Sequence, residues 1–330
     1  MLKRRISKEA ITVVKNDSNF IPLHRLDTLS IAYLEIDPGM GTPFINMLEN
    51  YGYIKAFSIT RNAYQGRVDS VVSALKKFNT IIVGYHNMDA RPQFDFGIHT
   101  EMVNLIEKLS ANHKVVLCLF GSPYALMKFP ATSLLSSILI GYDNSSEIQE
   151  MAAQVIMGGV NAQGKLPVSA GPLFPAGLGM VTSGDIRVSY VMPEEINISK
   201  SSLQKVDSIV HRAIASGAFP GCQIYASVNG KVFLNRGYGK QTYSNNDTPI
   251  TPTTLYDVAS VTKVTATLPV IMLLNEQGKI ALNDSLGKFV SLPAKNGKNK
   301  IKIWQLLTHQ AGLKEYVPYQ YDYLVPMLPG

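Results

Sequence analysis

Along the first half of the chain, short apolar-rich runs alternate with longer stretches whose apolar positions recur every three or four residues. The runs lie at residues 31–36, 55–59, 80–84, 115–119 and 135–140, and the periodic stretches at 42–51, 67–77, 98–111 and 147–157. Short apolar runs suit strands of a buried sheet, and the periodic stretches suit helices that cover them. The alternation predicts βαβ units and a mostly parallel sheet with helices on both sides. Gly158 and Gly159 supply a left-handed stop for the last of these helices.

After residue 168 the pattern dissolves. Gly171, Pro172, Pro175, Gly177, Gly179, Gly184 and Pro193 punctuate a stretch of little periodicity, which predicts a linker. The second half then follows different rules. Residues 202–216 carry Leu203, Val206, Ile209, Val210, Ala213 and Ile214 at helical spacing, and Gly217 ends them. Two strand-like runs, 223–228 and 231–234, flank Asn229-Gly230, the strongest short-range hairpin signal because both turn positions need positive φ. Residues 283–286 read as a turn, and 301–309 as a helix closed by Gly312. The expected architecture is α/β: a parallel-sheet α/β sandwich over residues 1–180, a linker at 181–198, and an incomplete α+β domain over 199–330.

Composition adds limits. With 330 residues, 46% of them hydrophobic and 17% charged, the chain has material for a substantial core. A formal charge of +7 permits loose attraction to anionic polymers. The one basic cluster, Lys295, Lys298, Lys300 and Lys302, is interleaved with Asn and Gly and lacks aromatics. It reads as a solvated loop, and no nucleic-acid partner is expected. Cys118 sits in a buried run and reads as a packed thiol; no metal spacing exists, and no cofactor is expected. The basic start Met1-Leu-Lys-Arg-Arg5 has no apolar run behind it, so neither a signal peptide nor a membrane span is expected in this chain.

The chemistry candidate is Tyr256-Asp-Val-Ala-Ser260-Val-Thr-Lys263. A serine and a lysine three apart share one helix face. A serine hydroxyl is a weak nucleophile until a base takes its proton, and a desolvated lysine amine is such a base. Spacing alone says little, because Ser73/Lys76, Ser202/Lys205 and Ser285/Lys288 share it. Ser260 is set apart by a strand-like run at 254–258, the small Ala259, and a following helix striped by Val261, Val264, Leu268, Ile271 and Asn275. Both side chains should project from the first turn of an interior helix into a cleft. Pro269 should kink that helix.

Ser260-Val-Thr-Lys263, the run from Leu273 to Asp284 and Leu306-Leu-Thr-His-Gln-Ala-Gly-Leu313 together resemble the serine beta-lactamase-related family of class C beta-lactamases, D,D-peptidases and esterases. The resemblance implies Ser260 as acylated nucleophile, Lys263 as its proton shuttle, and an oxyanion hole built partly from the Ser260 backbone N–H. It also implies a Tyr-x-Asn motif and a Lys-Thr-Gly or His-x-Gly strand, and neither occurs here. Tyr316, Tyr319, Tyr321 and Tyr323 qualify by residue type only. The serine domain therefore reads as truncated, with exposed apolar surface and self-association expected. His309 reads as structural, a residue favoured near a helix C-terminus.

The segments from Glu9 to Leu23 and from Ala152 to Val168 resemble the C-terminal α/β domain of glycoside hydrolase family 3, of the beta-N-acetylhexosaminidase and beta-glucosidase types. In that family a preceding barrel carries the nucleophile, and none is present in this sequence. Asp89, Asp95, Glu101, Asp143 and Glu147 show no motif pairing, so no glycosidase catalytic residue is assigned; His86 and His99 read as ordinary structural histidines. The order of the two resemblances is similar to that of fused bifunctional bacterial hydrolases, which implies a parent exported to the cell envelope and acting on glycan or peptidoglycan, of which this chain is expected to be an internal slice inactive by itself. The alternative is a non-catalytic scaffold or binding module.

Overall fold

A computed structural model of the protein describes residues 2–38, 43–130, 132–244, 246–293 and 297–316. By compactness the chain divides into two units, Met1–Thr254 and Leu255–Gly330. Tyr319, Tyr321, Tyr323 and Lys295 lie outside the described residues.

The first unit is built on a six-stranded sheet of β1 (Thr12–Asn16), β2 (Ile31–Ile36), β3 (Ile54–Ile59), β4 (Thr80–Tyr85), β5 (Lys114–Leu119) and β6 (Ser137–Ile140), in the order β1-β6-β5-β4-β2-β3. Neighbours from β3 through β6 are parallel, while β1 runs antiparallel along the β6 edge. The five parallel strands are those expected from the apolar runs. The inner strands are buried on both faces by alternation: Ala32, Leu34 and Ile36 of β2 enter one core, and Ile31 and Tyr33 enter the other, while the edge strand β3 leaves Lys55, Ala56 and Ser58 exposed.

Helices fill both sides. Residues of α3 (Gln65–Leu75) and α4 (Thr100–Ser110) join the first core; residues of α2 (Pro43–Glu49) and α5 (Ser146–Met157) join the second. The N-terminal α1 (Leu2–Ala10) packs on α5, with Arg4 buried. As expected, α5 ends at Gly158, which holds φ 77°. The chain reverses direction of winding at β2, since β3 lies on one side of it and β4 on the other. That makes the carboxyl edge between β2 and β4 a topological switch point.

The same compact unit also holds α6 (Lys200–Ala215) and a small sheet of β7 (Ser189–Tyr190), β9 (Lys231–Gly239) and β8 (Gly221–Val228). The hairpin turns at Asn229 (φ 50°) and Gly230 (φ 73°), the doubly left-handed turn that Asn-Gly signals. Asp207 of α6 accepts hydrogen bonds from Tyr238 Oη at 2.6 Å and Arg236 Nη1 at 2.9 Å, which fastens the helix to β9. Compactness thus breaks the chain after Thr254; the division at residues 181–198 read from the sequence stands as a proposal about ancestry.

The second unit is smaller. It contains α7 (Leu268–Glu276) and α8 (Ile303–Leu307), with Ser285 bridged to Lys302. Three expectations are corrected here. Residues 254–258 form no strand and carry no regular secondary structure. The helix after Ser260 is not interior, since none of α7 is buried and Val270, Met272 and Leu273 are more than half exposed. Periodicity identifies the apolar stripe but not a partner to cover it. The last helix stops at Leu307 and not His309, because His309 takes φ 58° and caps it. His309 N–H bonds Leu306 O at 3.2 Å and Gln310 N–H bonds Gln305 O at 2.8 Å, the paired bonds of a left-handed helix stop.

Candidate active site

The backbone around Ser260 is wound three ways in succession. A single 3₁₀ turn spans Ala259–Val261, a π-helical turn spans Lys263–Thr267, and α7 follows. The sequence expectation of one α-helix kinked at Pro269 is corrected in detail. Pro269 stands at the start of the regular α-helix and has no N–H to give the preceding turn, so that turn widens to longer-range bonding. Thr265 Oγ1 donates to Val261 O at 3.0 Å and helps satisfy the widened segment.

Ala259 holds φ 43°, the left-handed region that a side chain with a Cβ enters at a cost. Asp257 Oδ1 accepts the Ala259 N–H at 2.7 Å and fixes the turn. The sequence reading missed Asp257; an acidic residue two positions before a turn is the signal that marks it. The result of this winding is that Lys263 Nζ lies 2.9 Å from Ser260 Oγ. Of the four Ser-x-x-Lys spacings, this is the one whose side chains hydrogen-bond among the described residues. Lys288 instead binds Asp284 at 2.7 Å, and Ser202 belongs to the cap of α6. Both Ser260 and Lys263 are exposed, and Tyr316 is exposed as well.

A second polar cluster lines the switch point of the large sheet. His86, directly after β4, is buried and stacks on Phe120 with centroids 4.6 Å apart. Its Nε2 meets Tyr33 Oη at 2.7 Å and its Nδ1 meets Asn144 Oδ1 at 2.8 Å. Burial lowers the His86 pKa below the ordinary histidine value. Arg61 Nε donates to Asp37 Oδ2 at 2.8 Å, and Asn87 Nδ2 donates to Asp37 O at 3.0 Å. Three residues just past strand ends, Asp37, Asn87 and Tyr142, are left-handed. His86 is thus a satisfied structural histidine, as the sequence suggests.

Several acidic residues of this half are occupied individually. Asp89 is held down to about 2 by the Arg91 guanidinium, Asp95 pairs with Lys128, and the Lys3 ammonium lowers the Glu147 pKa. Asp143 Oδ1 accepts the Ser145 N–H at 2.8 Å just before α5, a turn role. Glu101 lies on the exposed start of α4. Among the described residues no group of three or more His, Cys, Asp or Glu side chains is arranged to hold a metal ion. Among the described residues no helix is long and apolar enough to cross a membrane.

Comparison with known proteins gives these features a context. Residues 206–324 match the beta-lactamase family model. Over those residues the chain is similar to beta-lactamases. The match contains both Ser260 and Lys263. Protein flp of Staphylococcus aureus is 38% identical over 119 residues, covering 35% of this chain and 24% of that protein. The N-acetylmuramyl-L-alanine amidase of Bacillus subtilis is 30% identical over 145 residues, covering 40% of this chain and 33% of the relative. The chain thus spans about a quarter to a third of the length of these relatives. Similar solved structures, each covering about half of this chain, include a family 3 glycoside hydrolase and beta-glucosidases. A beta-N-acetylglucosaminidase from Paenibacillus shares 18% identity with a TM-score of 0.43, covering 51% of this chain and 32% of its own. A beta-glucosidase from Listeria innocua shares 16% with a TM-score of 0.41, covering 50% and 26%.

Proposed function

We propose that the beta-lactamase-related part is a serine hydrolase that works through an acyl-enzyme on Ser260. The observation that carries this reading is the 2.9 Å contact between Lys263 Nζ and Ser260 Oγ, at the end of a turn held by a left-handed Ala259. Backbone strain beside a nucleophile is a recurrent feature of reactive sites. In the proposed step Ser260 Oγ bonds to the carbonyl carbon of an ester, amide or lactam. Its proton passes to the neutral amine of Lys263, the carbonyl π electrons move to oxygen, and the leaving group departs with a proton returned from the ammonium. Water then repeats the sequence on the acyl-serine.

The substrate class we propose is a cell-wall amide or ester, in a larger bifunctional protein whose other part is a family 3-type glycoside hydrolase acting on a beta-linked N-acetylhexosamine or glucose. Support comes from the name of the amidase relative and from the motifs at 9–23 and 152–168. The test is covalent labelling by a fluorophosphonate or a fluorescent penicillin. Labelling lost in Ser260→Ala and slowed at least about a hundredfold in Lys263→Met is expected, the scale of losing a general base. Equal labelling of wild type and Ser260→Ala overturns the assignment. The exposure of both side chains favours one second reading, a non-catalytic binding module, and absent labelling of the wild type would support it.

A further inference from the structure

The turn between β8 and β9 brings a carboxamide carbon and an open backbone nitrogen side by side. Asn229 and Gly230 are both exposed and both left-handed, at φ 50° and φ 73°. Among the described residues nothing hydrogen-bonds the Asn229 side chain, so it rotates about χ1 unhindered. The Gly230 N–H donates no hydrogen bond there either. A Cβ added to Gly230 would meet no atom within 4 Å, so nothing crowds the adjoining nitrogen. Other asparagine side chains are tied down: Asn16, Asn79, Asn87 and Asn144 each donate a hydrogen bond.

We propose that Asn229 converts spontaneously to aspartate and isoaspartate, and that the isoaspartyl form releases β7 from the hairpin. Gly230 N loses its proton to hydroxide and bonds to Asn229 Cγ, while the carbonyl π electrons move to oxygen. As they return, the Cγ–Nδ2 bond breaks and the nitrogen leaves as ammonia with a proton from water. The product is a succinimide ring. Water opens it at Cγ to give aspartate, or at the Asn229 backbone carbonyl carbon to give isoaspartate, whose main chain runs through Cβ and Cγ. Water and hydroxide are the only reactants.

The place of the turn gives this product a consequence. Gly230 O accepts the N–H of buried Ser189 at 2.9 Å, and Val191 N–H reaches Val232 O at 2.9 Å further along. These bonds join the two-residue β7 to β9. A two-residue turn matches its flanking strands only with its own backbone length and left-handed dihedrals. An inserted main-chain carbon therefore carries Gly230 O away from Ser189.

The inference does not depend on the serine site. Incubating the full chain in mildly alkaline buffer tests it, with peptide mapping by mass spectrometry and amide hydrogen exchange as readouts. Asn229 should lose its amide at least about tenfold faster than Asn16 and Asn144, at a rate that rises with pH. Exchange protection of Ser189 should fall in the isoaspartyl fraction. Asn229→Gly keeps a left-handed turn and has no side chain to cyclise, so its Ser189 protection should survive the same incubation. Loss at Asn229 no faster than at Asn16 and Asn144, or reaction confined to Asn296 of the chain's other Asn-Gly pair, would overturn the inference. So would unchanged Ser189 protection in the isoaspartyl fraction, or an equal fall in Asn229→Gly.

Discussion

Asp257 Oδ1 holds the backbone N–H of Ala259 at 2.7 Å, and Ala259 in turn bends the chain through φ 43° into Ser260. The acidic side chain thereby sets the direction in which the serine leaves the turn. Asp257→Ala should destabilise the second unit by about 1 kcal/mol, the scale of a lost turn or cap bond, and slow acylation of Ser260. Asp257→Asn keeps the acceptor oxygen and should restore both. Ala259→Gly removes the Cβ that resists this conformation, so it should be neutral or stabilising by up to about 1 kcal/mol with labelling retained. Melting temperatures together with fluorophosphonate labelling rates separate these outcomes.

His86 gives the fold a pH dependence of defined sign. Its folded pKa lies below the unfolded reference of 6.5, with burial the main cause and its hydrogen bond to Asn144 opposing. The unfolded chain therefore binds the proton first as pH falls. The stabilising contribution is complete above about pH 6.5 and is lost progressively as pH drops toward the lower folded value. Replacing His86 with Gln should flatten the melting-temperature profile between about pH 7 and pH 5. An unchanged slope would mean that another group sets it.

Glu35 acts in the opposite sense. Burial in β2 raises its pKa above the ordinary carboxylate value, so the folded state prefers the protonated form. Its stabilising contribution is full below the unfolded pKa and is lost as pH rises through the folded one. Glu35→Gln removes the charge without changing shape and should raise the melting temperature at neutral pH, by about 1 kcal/mol in stability. A gain at neutral pH that vanishes in acid is the expected signature.

Gly164 belongs to the segment that resembles glycoside hydrolase family 3, and its role is steric. An added Cβ would sit 2.6 Å from the backbone oxygens of both Ala10 and Ile11. Those atoms are fixed by the approach of the N-terminal segment, since Gly164 N–H bonds Ile11 O at 3.2 Å. Gly164→Ala should cost about 2–3 kcal/mol, readable as a lower urea midpoint with unchanged slope.

The strands from β2 to β6 were legible because a mostly buried parallel sheet writes itself as short apolar-rich runs between helical stretches. The edge strand β1 was not, because Thr12-Val-Val-Lys-Asn16 is short and mixed, and its pairing with β6 is a long-range event. Helix α1 escaped notice because it buries Arg4 and Ser7, not a stripe of leucines. At the serine, three-residue spacing was enough to bring Lys263 to Ser260, since 3₁₀, α and π winding all keep near positions together. The left-handed Ala259 was hidden because no glycine marks it. The exposure of α7 was hidden because periodicity records which side chains seek cover without recording what provides it.

The antiparallel β1 has a consequence for how the large sheet tolerates cutting. It occupies the side of β6 that would otherwise present unpaired backbone amides and carbonyls, and Met180 N–H bonds Val13 O at 2.7 Å on its far side. The hem of the sheet is stitched from two distant stretches of polypeptide. Trimming past residue 11 would therefore bare β6 to strand pairing between molecules, while a nick in the connection before β2 would leave the seam hydrogen-bonded in place.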